Sequence, residues 1–499
     1  MAKIAGIDLG TTFSAISRLN DMDRPEVIPN ADGERITSSS LYFDENKKID
    51  VGAEALNGRK VDASRSVRWI KAHMGDADHR TSIDGKEYTP AELSALILKK
   101  LHQDAIPQVG EITDVVISVP ANFGEVARKA TMDAGKIAGL NVIGIVNEPT
   151  AAALYYAITH EIAGRMMVFD LGGGTFDVSV ANVAGQGIDI VTSCGAPDLG
   201  GSHFDQKLLE YFEKKYKEET GGEMYSTPEE RAEFEDYAEE AKKSLSKKET
   251  FKFRLKGEGG TVRGEITRSE FESLISSDIA RIEMLIETVL DEAELEASDV
   301  EKVLLAGGSS RIPAVQRLLK EMFGYEPTLA GNVDECVSLG AALYAGLRLG
   351  KVDMPLGEVC NASYGTTCMA IDEVLEKDVP TNDILIKKNS KIPCEVSKTY
   401  FTRYAGQEVI NGKVTQGESS DPDLVQIRAE GSLKLPSDLP QGTPIDITYS
   451  YDKDQRMNCI FEHKDSRTKL VVNLDIESGS STSETIEDQQ AKIEDLIID

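Results

Sequence analysis

Two short clusters of aspartate, glycine and threonine could hold a phosphate. The first is Asp8-Leu9-Gly10-Thr11-Thr12-Phe13, and the second is Asp170-Leu171-Gly172-Gly173-Gly174-Thr175-Phe176-Asp177. Each follows an apolar run and precedes another, which is the pattern of a strand, a turn and a strand in a β-hairpin. A Gly/Thr turn presents successive backbone N–H groups. Glycine lets the chain approach an anion without a Cβ in the way, and threonine hydroxyls add donors. Asp8 and Asp170, at the strand ends, are hard oxygen ligands that can hold Mg²⁺ through water. Either turn alone reads more readily as a plain hairpin. Two of them in one chain, each led by an aspartate, point to duplicated lobes that each offer a turn to a shared cleft.

A third element is Leu305-Ala306-Gly307-Gly308-Ser309-Ser310-Arg311-Ile312-Pro313. A strand ends in a glycine pair, and a helix opens with proline in its first turn. The glycines offer flat backbone to a purine, on which Arg311 can stack. The plainer reading is a tight βα turn with a surface arginine. Gly200-Gly201 offers a fourth turn.

Strand-like runs must position these turns: Ile4 to Asp8, Val115 to Val119, Met166 to Asp170 and Val303 to Ala306. They alternate with helical patterns, which argues an α/β architecture. One helix opens after Pro120 and Gly124 with Val126, Ala130 and Ala134 on one face, and Gly139 ends it. Another, Thr150 to Ile158, is entered through Pro149. Residues 205 to 250 are strongly charged and helix-forming, and alone read as a solvated face. Composition shifts near 350 to 357. Beyond it short alternating strands, punctuated by Asn389-Ser390, Asn411-Gly412, Gly431 and Gly442, predict a separate β-sandwich. Ile486 to Ile498 predicts one short amphipathic helix.

The 499 residues suggest two to four domains. A formal charge of -30 repels phosphate backbones and anionic membrane surfaces, so neither nucleic acid nor membrane is an expected partner. Six cysteines stand without C-x-x-C spacing, which suggests neither a zinc site nor a redox pair and fits a reducing compartment. The six histidines are equally scattered. No leader-like apolar segment and no membrane-length apolar run is present, so a cytoplasmic location is expected.

The chain resembles the heat shock protein 70 (DnaK-type) chaperone family. Five motifs carry the resemblance in the family's order. They are Ile7-Asp8-Leu9-Gly10-Thr11-Thr12, Val119-Pro120-Ala121-Asn122-Phe123, Asn147-Glu148-Pro149-Thr150-Ala151-Ala152-Ala153, Asp170 to Asp177, and Gly307 to Pro313. The match is strong over residues 1 to about 352 and weaker over 359 to 475. It implies an actin-like (ribonuclease H-like), two-lobed α/β ATPase domain over 1–352 and a linker over 353–358. An all-β sandwich that binds peptides follows over 359–475, with a short tail over 476–499.

The resemblance also implies roles. Asp8, Thr11, Thr12 and Lys71 would face the β- and γ-phosphates of ATP or ADP, with Mg²⁺ held by Asp8 and Asp170. Lys71, Glu148, Asp170 and Thr175 would be catalytic, orienting or deprotonating the attacking water, with Asp177 nearby. Gly10, Phe13, Gly172, Gly173, Gly174, Gly200, Gly201, Gly307, Gly308, Ser309, Arg311 and Asp334 would complete the nucleotide pocket. Glu239, Lys242, Lys243 and Ser246 resemble the family's adenosine-contacting helix. Met369, Arg403 and Ile410 would line or arch over a groove for an unfolded or extended polypeptide. The plainer reading of each is an ordinary sandwich core or loop residue. Pro120 and Arg128 match family coupling positions. A J-domain co-chaperone, a nucleotide exchange factor and dependence on K⁺ are carried over as expectations.

Three departures bear on mechanism. The linker reads Asp353-Met354-Pro355-Leu356-Gly357-Glu358; proline removes a donor and glycine loosens a strand, so docking as a strand is expected to be weakened. Ile143-Gly144 stands where the family often has basic residues for a J-domain partner. The family's long helical lid has no counterpart in the tail, which predicts fast peptide exchange. Extra residues between 372 and 383 predict a longer groove-side loop. The leading reading is an ATP-dependent chaperone with slow turnover. The second is an actin-like ATP-binding regulator or scaffold with one dedicated partner, and a sugar kinase is a weak third.

Overall fold

The computed structural model describes residues 4–160, 163–184, 187–329, 331–372, 377–452, 455–474, 485–494 and 496–498. Two six-stranded sheets share one plan. In the first, Ile4–Asp8 pairs antiparallel with Phe13–Leu19 and parallel with Asp114–Val119, which pairs parallel with Asn141–Asn147. In the second, Gly164–Leu171 pairs antiparallel with Phe176–Ala184 and parallel with Lys302–Ala306. Each hairpin continues into a third antiparallel strand, Pro25–Ile28 in one sheet and Gly187–Ala196 in the other. The strands carrying Asp8 and Asp170 are therefore equivalent in the two lobes. Ile7, Val116, Val168 and Leu304 are buried because helices cover these sheets.

The helices Glu148–Thr159 and Cys336–Arg348 pack together between the sheets, and their Ala152, Leu154, Ala341 and Leu343 share one core. Beyond them, two four-stranded antiparallel sheets enclose a core of Tyr364, Tyr449, Val414 and Phe461. The extra residues after 372 continue a hairpin: Lys377–Ile386 pairs with Tyr364–Asp372. The loop tip, 373–376, lies outside the described residues.

The linker departs from expectation. Leu356–Val359 is a strand that pairs parallel with Gly187–Ala196 and antiparallel with Lys391–Ile392, tying the second lobe's sheet to the sandwich. Pro355 precedes the strand, so its missing N–H is not needed in the ladder, and its carbonyl accepts from the Ile188 N–H at 2.9 Å. Gly357 pairs with Asp189, whose carboxylate fills the room a Cβ would take. The penalties expected of Pro and Gly apply to strand interiors, and here they fall at the threshold and beside an inserted side chain.

The tail helix is shorter than expected. It spans Ile486–Glu494, after which Ile497–Ile498 pairs parallel with Lys48–Ile49 of the first lobe. Ile493 and Leu496 join the core that holds Ile49 and Leu101. Lys492 meets the fully buried Glu92 at 2.9 Å, and Gln490 Nε2 donates to the Lys136 carbonyl at 2.6 Å. Among the described residues no helix is long and apolar enough to cross a membrane.

Candidate functional site

The two Gly/Thr turns face each other. A Cβ on Gly173 would lie 1.9 Å from Thr12 Oγ1, and one on Gly174 would lie 2.6 Å from a carbon of Thr11, so only glycine lets the turns come this close. Behind the first turn, Ser39 Oγ donates to the Gly10 carbonyl at 2.8 Å. Behind the second, the Gly201 N–H donates to Gly172 O and the Ser202 N–H to Gly173 O, at 3.0 and 2.7 Å. Ser309 Oγ also donates to Gly172 O, at 2.9 Å. The Gly172–Gly174, Gly200–Gly201 and Gly308–Ser309 segments thus form one framework in the second lobe.

Between the turns lies a cavity of about 80 Å³. Asp8, Gly10, Thr11 and Phe13 line it from the first lobe with Lys71 and Glu148. Asp170, Gly172, Thr175, Gly307, Gly308 and Asp334 line it from the second. A larger cavity, about 420 Å³, lies between the helix Glu125–Ile137 and the sandwich, lined in part by Arg128, Lys129 and Arg456. Among the described residues no glycine lines it, whereas Gly10, Gly172, Gly307 and Gly308 line the smaller cavity.

Local backbone brings Lys71 inward. Trp69 takes a left-handed conformation, φ 58°, and a 3₁₀ turn over Ile70–His73 follows. Lys71 is buried there in an ion pair with Glu148, the first residue of the helix Glu148–Thr159. Asp8 accepts from Ser118 Oγ at 2.8 Å. Burial and the nearby Glu148 push the Asp8 carboxyl up to about 7, although Lys71 pulls the other way. Burial, Glu148 and Asp177 raise Asp170 well above the carboxylate range. Burial and then Glu148 raise Asp177 to about 8. Burial alone would lower Lys71, but Glu148 and Asp8 outweigh it and hold the ammonium.

This balance tests whether Mg²⁺ fits. The buried Glu148, Asp170 and Asp177 and the half-buried Asp8 surround the buried Lys71, and a hard dication would supply the missing positive charge. Asp8 and Asp170 reach the cavity from opposite lobes with an all-oxygen donor set, which suits Mg²⁺. The residues fit the ion.

The helix Pro228–Leu245 borders the second lobe's side of the cleft. Lys242 Nζ donates to Gly201 O at 2.9 Å and meets Asp205 at 2.7 Å. Lys243 lies 5.5 Å over the Phe13 ring, bridging the lobes. Ser246 Oγ bonds the Lys242 carbonyl, and Arg311 pairs with Asp334 and Asn332. Glu239 meets Lys243 at 2.7 Å and Arg68 at 3.3 Å. The acidic side of this helix therefore differs from the solvated face its sequence suggests alone. Arg59 pairs with Glu235, Arg68 with Asp236 and Glu239, and both guanidinium groups lie over the Trp69 ring, at 5.9 and 4.6 Å. Sequence reasoning missed Arg59, Arg68 and Trp69, because cations far away in sequence carry no local signal of their partners. It also gave no role to Asn122. The Asn122 side-chain amide lacks a hydrogen-bond partner among the described residues, and it and the Asp177 carboxylate border Gly195, with the backbone N–H groups of Asn122 and Ala121 pulling the Asp177 carboxyl down against its burial. An unpartnered amide beside a buried carboxylate suits a bound water.

The coupling candidate Arg128 is buried. It donates to the Phe123 carbonyl at 2.9 Å, the Ala121 carbonyl at 3.1 Å and Asn147 Oδ1 at 2.8 Å. Asn147 donates on to Glu358 of the linker strand at 3.2 Å, and Asn361 donates to Ala121 O and Phe123 O. The carbonyl of Pro120 caps this segment by accepting from the Phe123 N–H. In the sandwich, Met369 and Ile410 lie on neighbouring strands of one sheet. Met369 is exposed and Ile410 packs partly against the core. Arg403 pairs with Asp378 at 2.8 Å, linking a loop of one sheet to a strand of the other.

A family model described as Hsp70 protein matches residues 4–496. With nearly the whole length matched, this chain belongs to the Hsp70 family.

Proposed function

We propose that this chain is an ATP-dependent chaperone: a slow ATPase of actin-like, two-lobed build over residues 1–352, coupled through 353–358 to a peptide-binding sandwich over 359–475. One observation carries this reading. Two glycine–threonine turns oppose each other across a cleft that holds a buried Lys71–Glu148 pair and the carboxylates Asp8 and Asp170.

When bound, Mg²⁺ supplies charge neutralisation at the β- and γ-phosphates of ATP. Thr11, Thr12 and the Gly172–Gly174 amides cradle those phosphates, and Lys71 adds a fixed positive charge near the γ-phosphate. Glu148 accepts the proton of the attacking water, with Thr175 and Asp170 orienting it and Asp177 and Asn122 holding it in reserve. Gly201, Gly308, Ser309 and Arg311 frame the nucleoside, with Lys242, Lys243, Glu239 and Ser246 on the facing helix. Dependence on K⁺, a J-domain partner and an exchange factor follow from the family.

Coupling runs through neighbouring groups. Asn147 immediately precedes Glu148 and touches both Arg128 and Glu358, so a shift at the water-handling carboxylate is felt at the linker strand. The docked strand removes one of the two grounds of the scaffold reading, the weakened linker. Met369, Ile410 and the Arg403–Asp378 bridge are the residues for an extended apolar peptide. The deciding measurement is the affinity of a fluorescent apolar peptide for the full chain with ATP and with ADP. Different affinities are expected; equal affinities would leave an ATPase without chaperone coupling.

A further inference from the structure

Two histidines separated in sequence come together on the first lobe. His73 closes the turn that carries Lys71, and Gly75 follows with φ 89°. Two successive turns come next. The Asp76 N–H donates to His73 O at 3.0 Å, and the His79 N–H to Asp76 O at 3.4 Å. Residues spaced by three therefore return to one side of the loop. A ligand atom from each of His73, Asp76 and His79 lies within 4.8 Å of the others. The two imidazoles stack at 3.8 Å with an interplanar angle of 17°.

The loop is held in place. Met74 is buried and touches Ser94 Oγ at 3.6 Å, and a Cβ on Gly75 would lie 3.0 Å from Ala127. Arg80 ties the Ala77 and His79 carbonyls, at 2.6 and 2.8 Å. Asp76 Oδ1 accepts from the Asp78 and His79 N–H groups at 3.1 and 3.2 Å, which fixes the carboxylate and leaves Oδ2 for a ligand. Three donors are thus within reach of one another; His79 Nε2 contacts Thr81 Oγ1 at 3.4 Å, and an ion bound in the plane of both rings requires the stack to open.

We propose that His73, Asp76 and His79 form a site for a borderline transition-metal dication, Zn²⁺, Ni²⁺ or Cu²⁺, with water completing the coordination. Two imidazole nitrogens and one carboxylate oxygen select such ions over Mg²⁺ and Ca²⁺, which take oxygen sets. The nitrogen must be unprotonated to bind. His73 and Asp76 face solvent, whereas Lys71 two residues earlier is buried in the cleft, so this site is separate from the carboxylates assigned to Mg²⁺.

The test uses the full chain, stripped with chelator and titrated with ZnCl₂ and NiCl₂ by calorimetry, alongside His79→Ala and Asp76→Asn. All three positions are at least partly exposed, and thermal melts establish that each variant folds. Expected is an ion bound by the wild type with affinity falling about tenfold or more in His79→Ala. Co²⁺ bound there should show ligand-field absorption without a thiolate charge-transfer band. No binding, equal affinity in both variants, or a thiolate band that places the ion on the cysteines would each overturn the proposal.

Discussion

The cleft and the linker junction both bury charged groups, but they treat them differently. In the cleft, Asp8, Asp170 and Asp177 outnumber the cation available to them, and burial with Glu148 outweighs Lys71 at all three carboxyls. At the junction, Arg128 reaches three acceptors, and Asn147 passes the contact on to Glu358. A buried charge costs stability unless it is compensated. The junction meets most of its charge with its own residues, although Arg128 Nη1 has no hydrogen-bond partner among the described residues and burial raises the Glu358 carboxyl. The cleft leaves that compensation to a ligand, which is how a binding site differs from a structural contact.

If this contrast is right, substitutions in the two regions should fail in different ways. The largest effect is expected from Glu148→Ala: turnover falls about a hundredfold or more, while ATP binding and thermal stability hold. Steady-state hydrolysis with calorimetric ATP titration checks this, and wild-type turnover would remove Glu148 from its role. Arg128→Ala should do the reverse. Leaving the Ala121, Phe123 and Asn147 acceptors short of a donor should cost about 3 kcal/mol in denaturant unfolding. Basal hydrolysis should survive, and stimulation by peptide should be lost. A variant as stable and as responsive as the wild type would erase the contrast.

A smaller effect concerns pH. A carboxyl that titrates near 8 when folded and in the ordinary range when unfolded keeps its proton longer in the folded state. The unfolded state then binds fewer protons across that window, so stability is highest at its acid end and falls as pH rises towards 8. Without nucleotide, the melting temperature should drop between pH 5 and 8. Asp177→Asn should flatten that slope, and an unchanged slope would show that Asp177 is not its source. Mg-ATP should raise the melting temperature more at pH 8 than at pH 6, since a cation favours the ionised carboxylates. At the tail, Lys492→Met should leave hydrolysis unchanged but strip the fully buried Glu92 of its cation, at a cost of about 3 kcal/mol, read by urea unfolding.

Legibility in the sequence followed locality. The two hairpin turns could be read directly, because Asp, Gly and Thr after an apolar strand carry their own conformational reasons. The docking of Leu356–Val359 could not. Pro355 and Gly357 count against a strand until Asp189 and the Ile188 N–H are known to stand beside them. The acidic helix 228–245 hid its partners for the same reason, since Arg59 and Arg68 lie far upstream. The histidines, scattered by count, meet only because two consecutive turns fold His73 and His79 onto one side. Asn122 gave no signal at all, because an unpartnered amide is a property of its surroundings.

The pairing of Ile497–Ile498 with Lys48–Ile49 has a consequence for synthesis. Roughly 450 residues of chain separate these partners, a very long-range contact by folding standards. As the polypeptide leaves the ribosome, the first lobe must wait with an apolar notch where Ile493 and Leu496 will sit. Nascent chains halted before residue 486 should expose that notch and be the species most in need of protection from aggregation.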